Sequence, residues 1–473
     1  MRFDLVAVTA LPRLAWAARL VPGDPVVRVL HGPWVETRGD RFVEGAWDAP
    51  FAEWDFPASE NLAGSGGVVR PDGVLFATPA NMYERLHSVR ARDALWVSNS
   101  LAFVLALSGE RLDPSHRHYY LDFLDHYRCG IRVKHKTLRL TGGGTAALHD
   151  CCNVLVTPEA RVTRREKPWG HAPATFDDYA ALLHRTVAAI VANAADPSRR
   201  HPYRPLAMVS QGYDSTAVAA IARDVGCREA VTFLQSHSAH GYVDDSGEDV
   251  ASALGLAVTT YERNDFESLA DHRPEDFYLE PWGVDRTMSV MARQLEGALL
   301  LSGRSAEAVW SRGGYRHWGL PDLQHPLNQT PGCALGELRL RTGFLHFAPA
   351  TIAAVRHAPR IHRWNDDPEL RPWSIGGDYD KPIARRIAED AGVPRDLFGQ
   401  AKKGGADPPA HPGERSRAQR IVERIERSPR LRRVLHAIVG NRFHQRWKTG
   451  SLELQAGCEK MIERYVSAIA DLR

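Results

Sequence analysis

A short polar segment, residues 210–215, has the residue types and the position needed to bind phosphate. It reads Ser-Gln-Gly-Tyr-Asp-Ser and lies between an apolar run at 206–209 and a helical pattern at 216–222. An apolar run of this kind predicts a strand that is buried on both faces. The polar segment therefore stands at a helix N-terminus, where unpaired N–H groups and the helix dipole favour an anion such as pyrophosphate.

The side chains of this segment strengthen the prediction. The hydroxyls of Ser210 and Ser215 can donate hydrogen bonds, and Gly212 lets the backbone approach a ligand closely. Asp214 is a hard carboxylate of the kind that Mg²⁺ prefers. The same composition is also typical of an ordinary strand-to-helix turn with Asp and Ser as caps, and composition alone leaves both readings open.

The elements around the segment predict an α/β chain with two domains. Residues 1–168 contain short β-rich runs between Gly, Pro and Asp turns, with a helical passage near 116–126, which predicts an antiparallel layered domain. After a linker, residues 175–473 alternate apolar runs and helical patterns, which predicts a parallel sheet whose ligands bind beyond the carboxyl ends of the strands. The elements expected there are a helix over 179–191, strands over 206–209, 230–234, 257–261 and 297–301, and helices over 248–254 and 286–296.

The totals exclude several classes of protein. The 473 residues include 60 basic and 57 acidic side chains, so the net charge of +3 gives no electrostatic reason to expect a nucleic-acid partner. An arginine-rich helical tail from residue 414 fits a solvated face better than a nucleic-acid surface. The cysteines have no metal-ligand spacing, and no signal peptide or membrane span is evident. We therefore expect a cytoplasmic protein, with homo-oligomerisation left open.

Residues 210–215 resemble the Ser-Gly-Gly-x-Asp-Ser pyrophosphate motif of the N-type ATP pyrophosphatases, with Gln211 replacing one glycine. Residues 302–315 are similar to the Ser-Gly-Glu-Gly-x-Asp-Glu-Leu-Phe-x-Gly-Tyr segment of the asparagine synthetase superfamily. This match implies that Ser302 and Gly303 contribute to the ATP site. It also puts Glu307 where the family has a magnesium-binding Asp, so that Asp214 and Glu307 would hold Mg²⁺ together. Without this register, Glu307 reads as a solvated helix residue.

Three basic residues complete the resemblance. Arg304 stands where synthetases have Glu and β-lactam synthetases have the Tyr used in proton abstraction. Arginine cannot act as a base in water, but it can clamp a carboxylate or phosphate. Lys381 matches the lysine of the family's Lys-x-x-Leu-Arg helix. Lys402 matches the lysine that stabilises the leaving pyrophosphate in β-lactam synthetases, with Lys403 as the alternative one residue later; a Lys-Lys-Gly-Gly run is also typical of an exposed loop.

The first domain resembles the glutaminase domain of asparagine synthetases over residues 96–107 and 136–148. That domain has an N-terminal-nucleophile fold, in which a cysteine at the mature N-terminus attacks glutamine. Here no cysteine precedes Cys129, so the resemblance implies a domain that has lost this chemistry, as in the β-lactam synthetases. Its expected role is to pack against the second domain and to shape a substrate cleft.

Together these matches imply an ATP- and Mg²⁺-dependent, AMP-forming amide-bond synthetase whose second domain is adenine-nucleotide α-hydrolase-like. It would adenylate a small-molecule carboxylate for capture by an amine, in a small-molecule or natural-product pathway. Two alternatives stay open. One is an N-type ATP pyrophosphatase that modifies a nucleobase or RNA, and the other is a catalytically silent homologue that kept the fold.

Overall fold

The computed structural model describes residues 1–81, 84–117, 119, 122, 137–238, 241–279, 284–312, 335–377, 379–401, 403 and 442–472. Lys402, most of the helical passage predicted near 116–126, and residues 414–441 of the predicted basic tail lie outside these ranges.

The strands and helices of the described residues follow in chain order. The strands are β1 (Arg2–Ala7), β2 (Trp16–Leu20), β3 (Val26–His31), β4 (Glu36–Arg38), β5 (Arg41–Trp47), β6 (Leu62–Arg70), β7 (Gly73–Ala77), β8 (Leu86–Ala91), β9 (Ala94–Ser98), β10 (Thr137–Arg139), β11 (Thr145–His149), β12 (Asn153–Val156), β13 (Val162–Arg165), β14 (Arg204–Met208), β15 (Glu229–Phe233), β16 (Gln235–Ser238), β17 (Gly241–Asp244), β18 (Ala257–Tyr261), β19 (Ala298–Leu301) and β20 (Leu345–Phe347). The α-helices are α1 (Leu101–Ser108), α2 (Phe176–Ala194), α3 (Tyr213–Asp224), α4 (Glu248–Ala253), α5 (Ala292–Leu295), α6 (Ala306–Trp310), α7 (Gly336–Thr342), α8 (Ala354–Arg363), α9 (Pro382–Asp390) and α10 (Arg442–Ala468).

Two sheets form the N-terminal region. One has the order β1-β3-β2-β9-β8-β11-β10 and the other β13-β12-β7-β6-β5-β4. All neighbours pair antiparallel except β1 and β3. Buried side chains of both sheets share one core, in which Trp16 lies 4.9 Å from Phe42 and 5.6 Å from Phe76, measured between ring centroids. The expected antiparallel β-rich region is confirmed.

A parallel sheet of order β18-β15-β14-β19-β20 forms the centre of the C-terminal half. Strand β19, next to the central strand β14, is apolar throughout because both faces of the sheet are covered there, and Leu299, Leu300 and Leu301 are at most 1 % exposed. Burying one such leucine contributes roughly 1.5–3 kcal/mol. The parallel sheet that the alternating pattern predicts is confirmed, whereas the two-domain division at 168 and 175 stays a prediction.

One element of this half differs from expectation. The single helix predicted over 286–296 is instead a 3-10 segment, Val284–Met291, followed by the short helix α5. Thr287, Ser289 and Val290 are weak helix formers, because their side chains lose rotamer freedom or compete for backbone hydrogen bonds. The chain is thereby free to turn Asp285 towards the loop after β19, where it matters below.

A buried polar joint connects the two halves of the chain. The guanidinium of Arg339, on α7, contacts the Glu44 carboxylate of β5 at 2.7 and 3.1 Å. Glu337, two residues earlier on the same helix, accepts hydrogen bonds from Ser100, at the start of α1, and from Tyr465 of α10. Strand β5, the start of α1, α7 and α10 therefore contact one another through buried polar groups.

Candidate phosphate and cation site

Two loops meet at the carboxyl edge of the parallel sheet. Strands β14 and β19 pair in parallel, with Ala207 opposite Leu301, so the segments that follow them leave the sheet side by side. The first is the polar segment 210–215, which leads into α3, and the second begins at Ser302 and leads into α6. This is the position at which open parallel sheets bind their ligands.

Gly303 brings the second loop into direct contact with the first. A Cβ at this position would lie 2.7 Å from both the carbonyl carbon of Asp214 and the backbone nitrogen of Ser215. Those are backbone atoms at the start of α3, so they cannot move aside cheaply. The glycine is therefore required by the close approach of the two loops.

Serine hydroxyls hold the polar segment in shape. Ser215 Oγ lies 2.8 Å from Ser210 Oγ and accepts from the Ser210 backbone N–H at 3.1 Å. Ser210 Oγ in turn accepts from the Gly212 N–H at 3.1 Å. Gly212 is the N-cap residue of α3, and within the described part of the chain no side chain caps this helix start. A Cβ on Gly212 would stand 3.4–3.9 Å from the hydroxyls of Ser210, Ser215 and Tyr379, so the glycine leaves space among three polar groups.

The Lys381 ammonium is the centre of charge of the site. Its Nζ lies 2.7 and 2.9 Å from the two carboxylate oxygens of Asp214 and 2.6 Å from Glu307 Oε2. The lysine side chain is 1 % exposed, against 21 % for Asp214 and 37 % for Glu307. Burial acts to lower the pKa of Lys381, but the two carboxylates outweigh it and hold that pKa above its usual range. The lysine is therefore a permanent cation between the two carboxylates.

The segment before α9 fixes where this lysine stands. Its neighbour Asp380 is buried, accepts a hydrogen bond from Arg312 at 2.9 Å, and accepts another from the Ile375 N–H at 3.2 Å. Pro382 then opens α9, a position at which proline suits a helix. The ring centroid of Tyr379 lies 5.7 Å from Lys381 Nζ, and burial raises the pKa of its hydroxyl, which keeps it protonated.

Gln211 joins the polar segment to two flanking loops. Its Nε2 donates to Asp244, at the end of β17, at 2.6 Å, and its Oε1 accepts from Lys403. The Gly399 N–H donates to the Gln211 carbonyl oxygen at 2.8 Å. Lys403 thus touches the polar segment directly.

Arg304 pairs with a third carboxylate, that of Asp285. Its guanidinium forms an ion pair with Asp285, whose side chain is 6 % exposed. Burial raises the pKa of Asp285, although Arg304 opposes the shift. Ser302 Oγ lies 2.7 Å from His346 Nε2, and burial together with the nearby Arg304 lowers the pKa of His346 to about 3. The imidazole is therefore neutral and is too weak a base to accept a proton at pH 7.

The structure brings most of the sequence-predicted residues together. Ser210, Gln211, Gly212, Asp214, Ser215, Gly303, Glu307 and Lys381 lie at one edge of the sheet. Ser302 hydrogen-bonds His346 beside them, and Arg304 pairs with Asp285. Sequence reasoning missed Tyr379, Asp244 and Asp285. The position of Tyr379, two residues before Lys381, is the signal that could have pointed to it.

Asp214 and Glu307 fit a magnesium ion by number and type. Mg²⁺ is usually held by one or two carboxylates together with phosphate oxygens of a substrate. The space beside Gly212, among hydroxyl groups, suits such a phosphate. The position between the carboxylates is, however, that of the Lys381 ammonium, so a metal ion there requires the lysine to move.

Over the ranges described, no three His, Cys, Asp or Glu side chains converge as a metal-binding group. None of the helices in the same ranges is long and apolar enough to cross a membrane. No protein-family model matches the chain, and no curated protein matches it either.

Proposed function

We propose that this chain is an ATP-dependent, AMP-forming C–N ligase that adenylates a substrate carboxylate and transfers the acyl group to an amine. The observation that carries the proposal is the meeting of Asp214, Glu307 and Lys381 beside the polar segment 210–215. A nucleoside triphosphate can be held at a sheet edge by two carboxylates that bind its Mg²⁺, by a lysine, and by the hydroxyl-lined N-terminus of a helix. The sandwich of the N-terminal region agrees with a glutaminase-like domain without its cysteine, and the parallel sheet with an adenine-nucleotide α-hydrolase-like domain.

In the first step, adenylation of the substrate carboxylate, each residue of the site has its own role. The substrate carboxylate oxygen forms a bond to the α-phosphorus of ATP as the bond to pyrophosphate breaks. Ser210, Ser215 and the first N–H groups of α3 bind the departing pyrophosphate. Mg²⁺, held by Asp214 and Glu307, neutralises phosphate charge when it is bound. In our proposal Lys381 turns from the carboxylates to the phosphates when nucleotide arrives, and Lys402 or Lys403 approaches from the adjoining turn.

The second step needs no glutaminase. The amine nitrogen attacks the acyl carbon, AMP leaves, and the nitrogen loses a proton. Arg304 is paired to Asp285 and His346 is too weak a base, so neither of these two residues takes up that proton at neutral pH. We therefore propose a substrate amine that reaches the site already deprotonated, or one whose proton leaves to water.

A second candidate is a nucleotide-binding protein without turnover. Two observations favour it: Lys381 fills the position between the carboxylates, and Arg304 replaces the residue used for proton transfer in the resembling synthetases. Such a protein would bind the nucleotide but release no pyrophosphate with any carboxylate.

Calorimetry with Mg²⁺ and a non-hydrolysable ATP analogue tests both candidates. We expect binding by the wild type. We expect Asp214→Asn to lose at least tenfold in affinity, because one of the two carboxylates available to the metal becomes a neutral amide. Asp224→Asn, at the other end of α3, is the matched control and should bind as the wild type does. Pyrophosphate release with a panel of carboxylic acids then separates the ligase from the silent binder. Equal binding by both variants would remove Asp214 from the site.

A further inference from the structure

A large cavity lies where the N-terminal sheets, α7 and α10 meet. Its volume is 930 Å³, within the range of about 300–1,000 Å³ found for small-molecule sites. Described residues of the loop 9–13, of 273–276, of α7 and of α10 line it. Among these lining residues none belongs to the site around Lys381, so the cavity is a separate feature.

The wall of the cavity carries several guanidinium groups, most of which have acidic partners. Arg341 contacts Asp276 at 2.8 Å, and Arg464 forms an ion pair with Glu275. Arg273 differs from them, since its guanidinium makes neither a hydrogen bond nor an ion pair within the described part of the chain. Burial lowers the pKa of Arg273, and the positive charges of Arg341 and Arg464 act in the same direction, whereas the nearby carboxylates of Asp276 and Glu275 oppose the shift without bonding to the guanidinium. The cavity thus holds one arginine whose charge lacks a bonded counter-ion.

The lining of the cavity is less acidic than its composition suggests. Glu337 accepts hydrogen bonds from Ser100 and, at 2.7 Å, from Tyr465. Burial raises the pKa of this carboxyl group to about 7, so it carries only part of a negative charge at neutral pH. Apolar side chains complete the wall, among them Leu11, Pro12 and Met461. A ligand for this cavity would therefore combine an anionic group with an apolar body.

We propose that the cavity binds a small organic anion, a carboxylate or a phosphate monoester with a partly apolar body, whose oxyanion pairs with Arg273 next to Arg341 and Arg464. A bidentate arginine contact suits both oxyanions, because the planar guanidinium matches two oxygens at once. The apolar wall takes the remainder of the ligand out of water. This inference does not rest on the function proposed above, since it uses none of the residues around Lys381.

Calorimetry on the full chain, without nucleotide, tests the inference. The probes are 4-phenylbutyrate, phenyl phosphate and the neutral 4-phenylbutanol, at constant ionic strength. We expect saturable binding of at least one anionic probe, and no saturable binding of the alcohol. Arg273→Gln should weaken that binding at least tenfold, and Ala468→Trp, which fills the cavity from α10, should abolish it. Arg70→Gln, exposed on β6, is the matched control and should bind as the wild type does.

Either of two results would overturn the inference: neither anionic probe binds saturably, or binding persists unchanged in both Arg273→Gln and Ala468→Trp. The relative affinity of the two anionic probes decides between a carboxylate and a phosphate monoester as the natural group. Circular dichroism checks the fold of each variant. If Ala468→Trp does not fold, the comparison of Arg273→Gln with Arg70→Gln alone decides the outcome.

Discussion

At the scale of single residues, Lys381 sets the electrostatics of the candidate site. Its ammonium neutralises one of the two negative charges of Asp214 and Glu307, which would otherwise repel each other at close range. A buried charge whose partner is removed is costly, typically about 3–5 kcal/mol. The carboxylates here are partly exposed, so the penalty for losing the lysine should lie below that range.

The variant Lys381→Met tests this role directly. We expect it to unfold at a lower temperature than the wild type, because two carboxylates then face each other without a cation. Millimolar MgCl₂ should raise its melting temperature more than that of the wild type, since the metal can take the vacated position. Choline chloride at matched ionic strength is the control for screening. Equal magnesium shifts in the two proteins would mean that the carboxylates do not share a cation site.

The sequence could predict most of the residues of the site but not their contacts. The polar segment 210–215 and Gly303 follow apolar strands, and parallel pairing brings such ends together. The contact between Lys381 and Asp214 joins residues that are 167 positions apart, and no local pattern encodes it. The ion pair between Arg304 and Asp285 could not be predicted either. Asp285 lies in a 3-10 segment, whereas the sequence pattern predicts a regular helix there.

At the scale of elements, the loop after β19 can approach the start of α3 because Gly303 has no side chain. Gly303→Ala would place a methyl group 2.7 Å from backbone atoms of Asp214 and Ser215. Overpacking of this kind typically costs about 1–3 kcal/mol. We expect that loss in the free energy of unfolding, measured by urea denaturation, together with weaker nucleotide binding.

Gly144→Ala is a suitable control for this variant. Its added Cβ would meet its nearest atom at 3.8 Å, an ordinary contact, and the backbone there has a negative φ of −69°. We expect its free energy of unfolding to stay within about 0.5 kcal/mol of the wild type. If Gly303→Ala behaved in the same way, the two loops would not be in the close contact described here.

At the scale of the whole molecule, the polar joint between the halves should make stability depend on pH. Burial raises the pKa of Glu337 from 4.5 to about 7, so the folded state retains a proton that the unfolded state has lost. Stability from this group is therefore fully present below pH 4.5 and is lost as the pH rises through 7. Between pH 5 and pH 8 the loss should be roughly 2–3 kcal/mol.

Glu337→Gln should remove this dependence, because its amide cannot ionise. We expect the difference in free energy of unfolding between pH 5 and pH 8 to shrink by that amount relative to the wild type, as measured by urea denaturation at each pH. Glu453→Gln, an exposed change on α10, the helix that carries Tyr465, should keep the wild-type profile. A profile for Glu337→Gln that is indistinguishable from the wild type would show that Glu337 ionises normally in the folded protein.

The packing of α10 on α1 also affects the order in which the protein can be made. Phe103 of α1 stacks on Tyr465 of α10 with ring centroids 4.6 Å apart, yet the ribosome adds the tyrosine several hundred residues after the phenylalanine. During synthesis the outer face of α1, almost entirely apolar, has no cover from its own chain. Growing chains are therefore expected to expose this apolar helix to solvent for most of their translation, and transiently exposed apolar surface of this kind promotes aggregation.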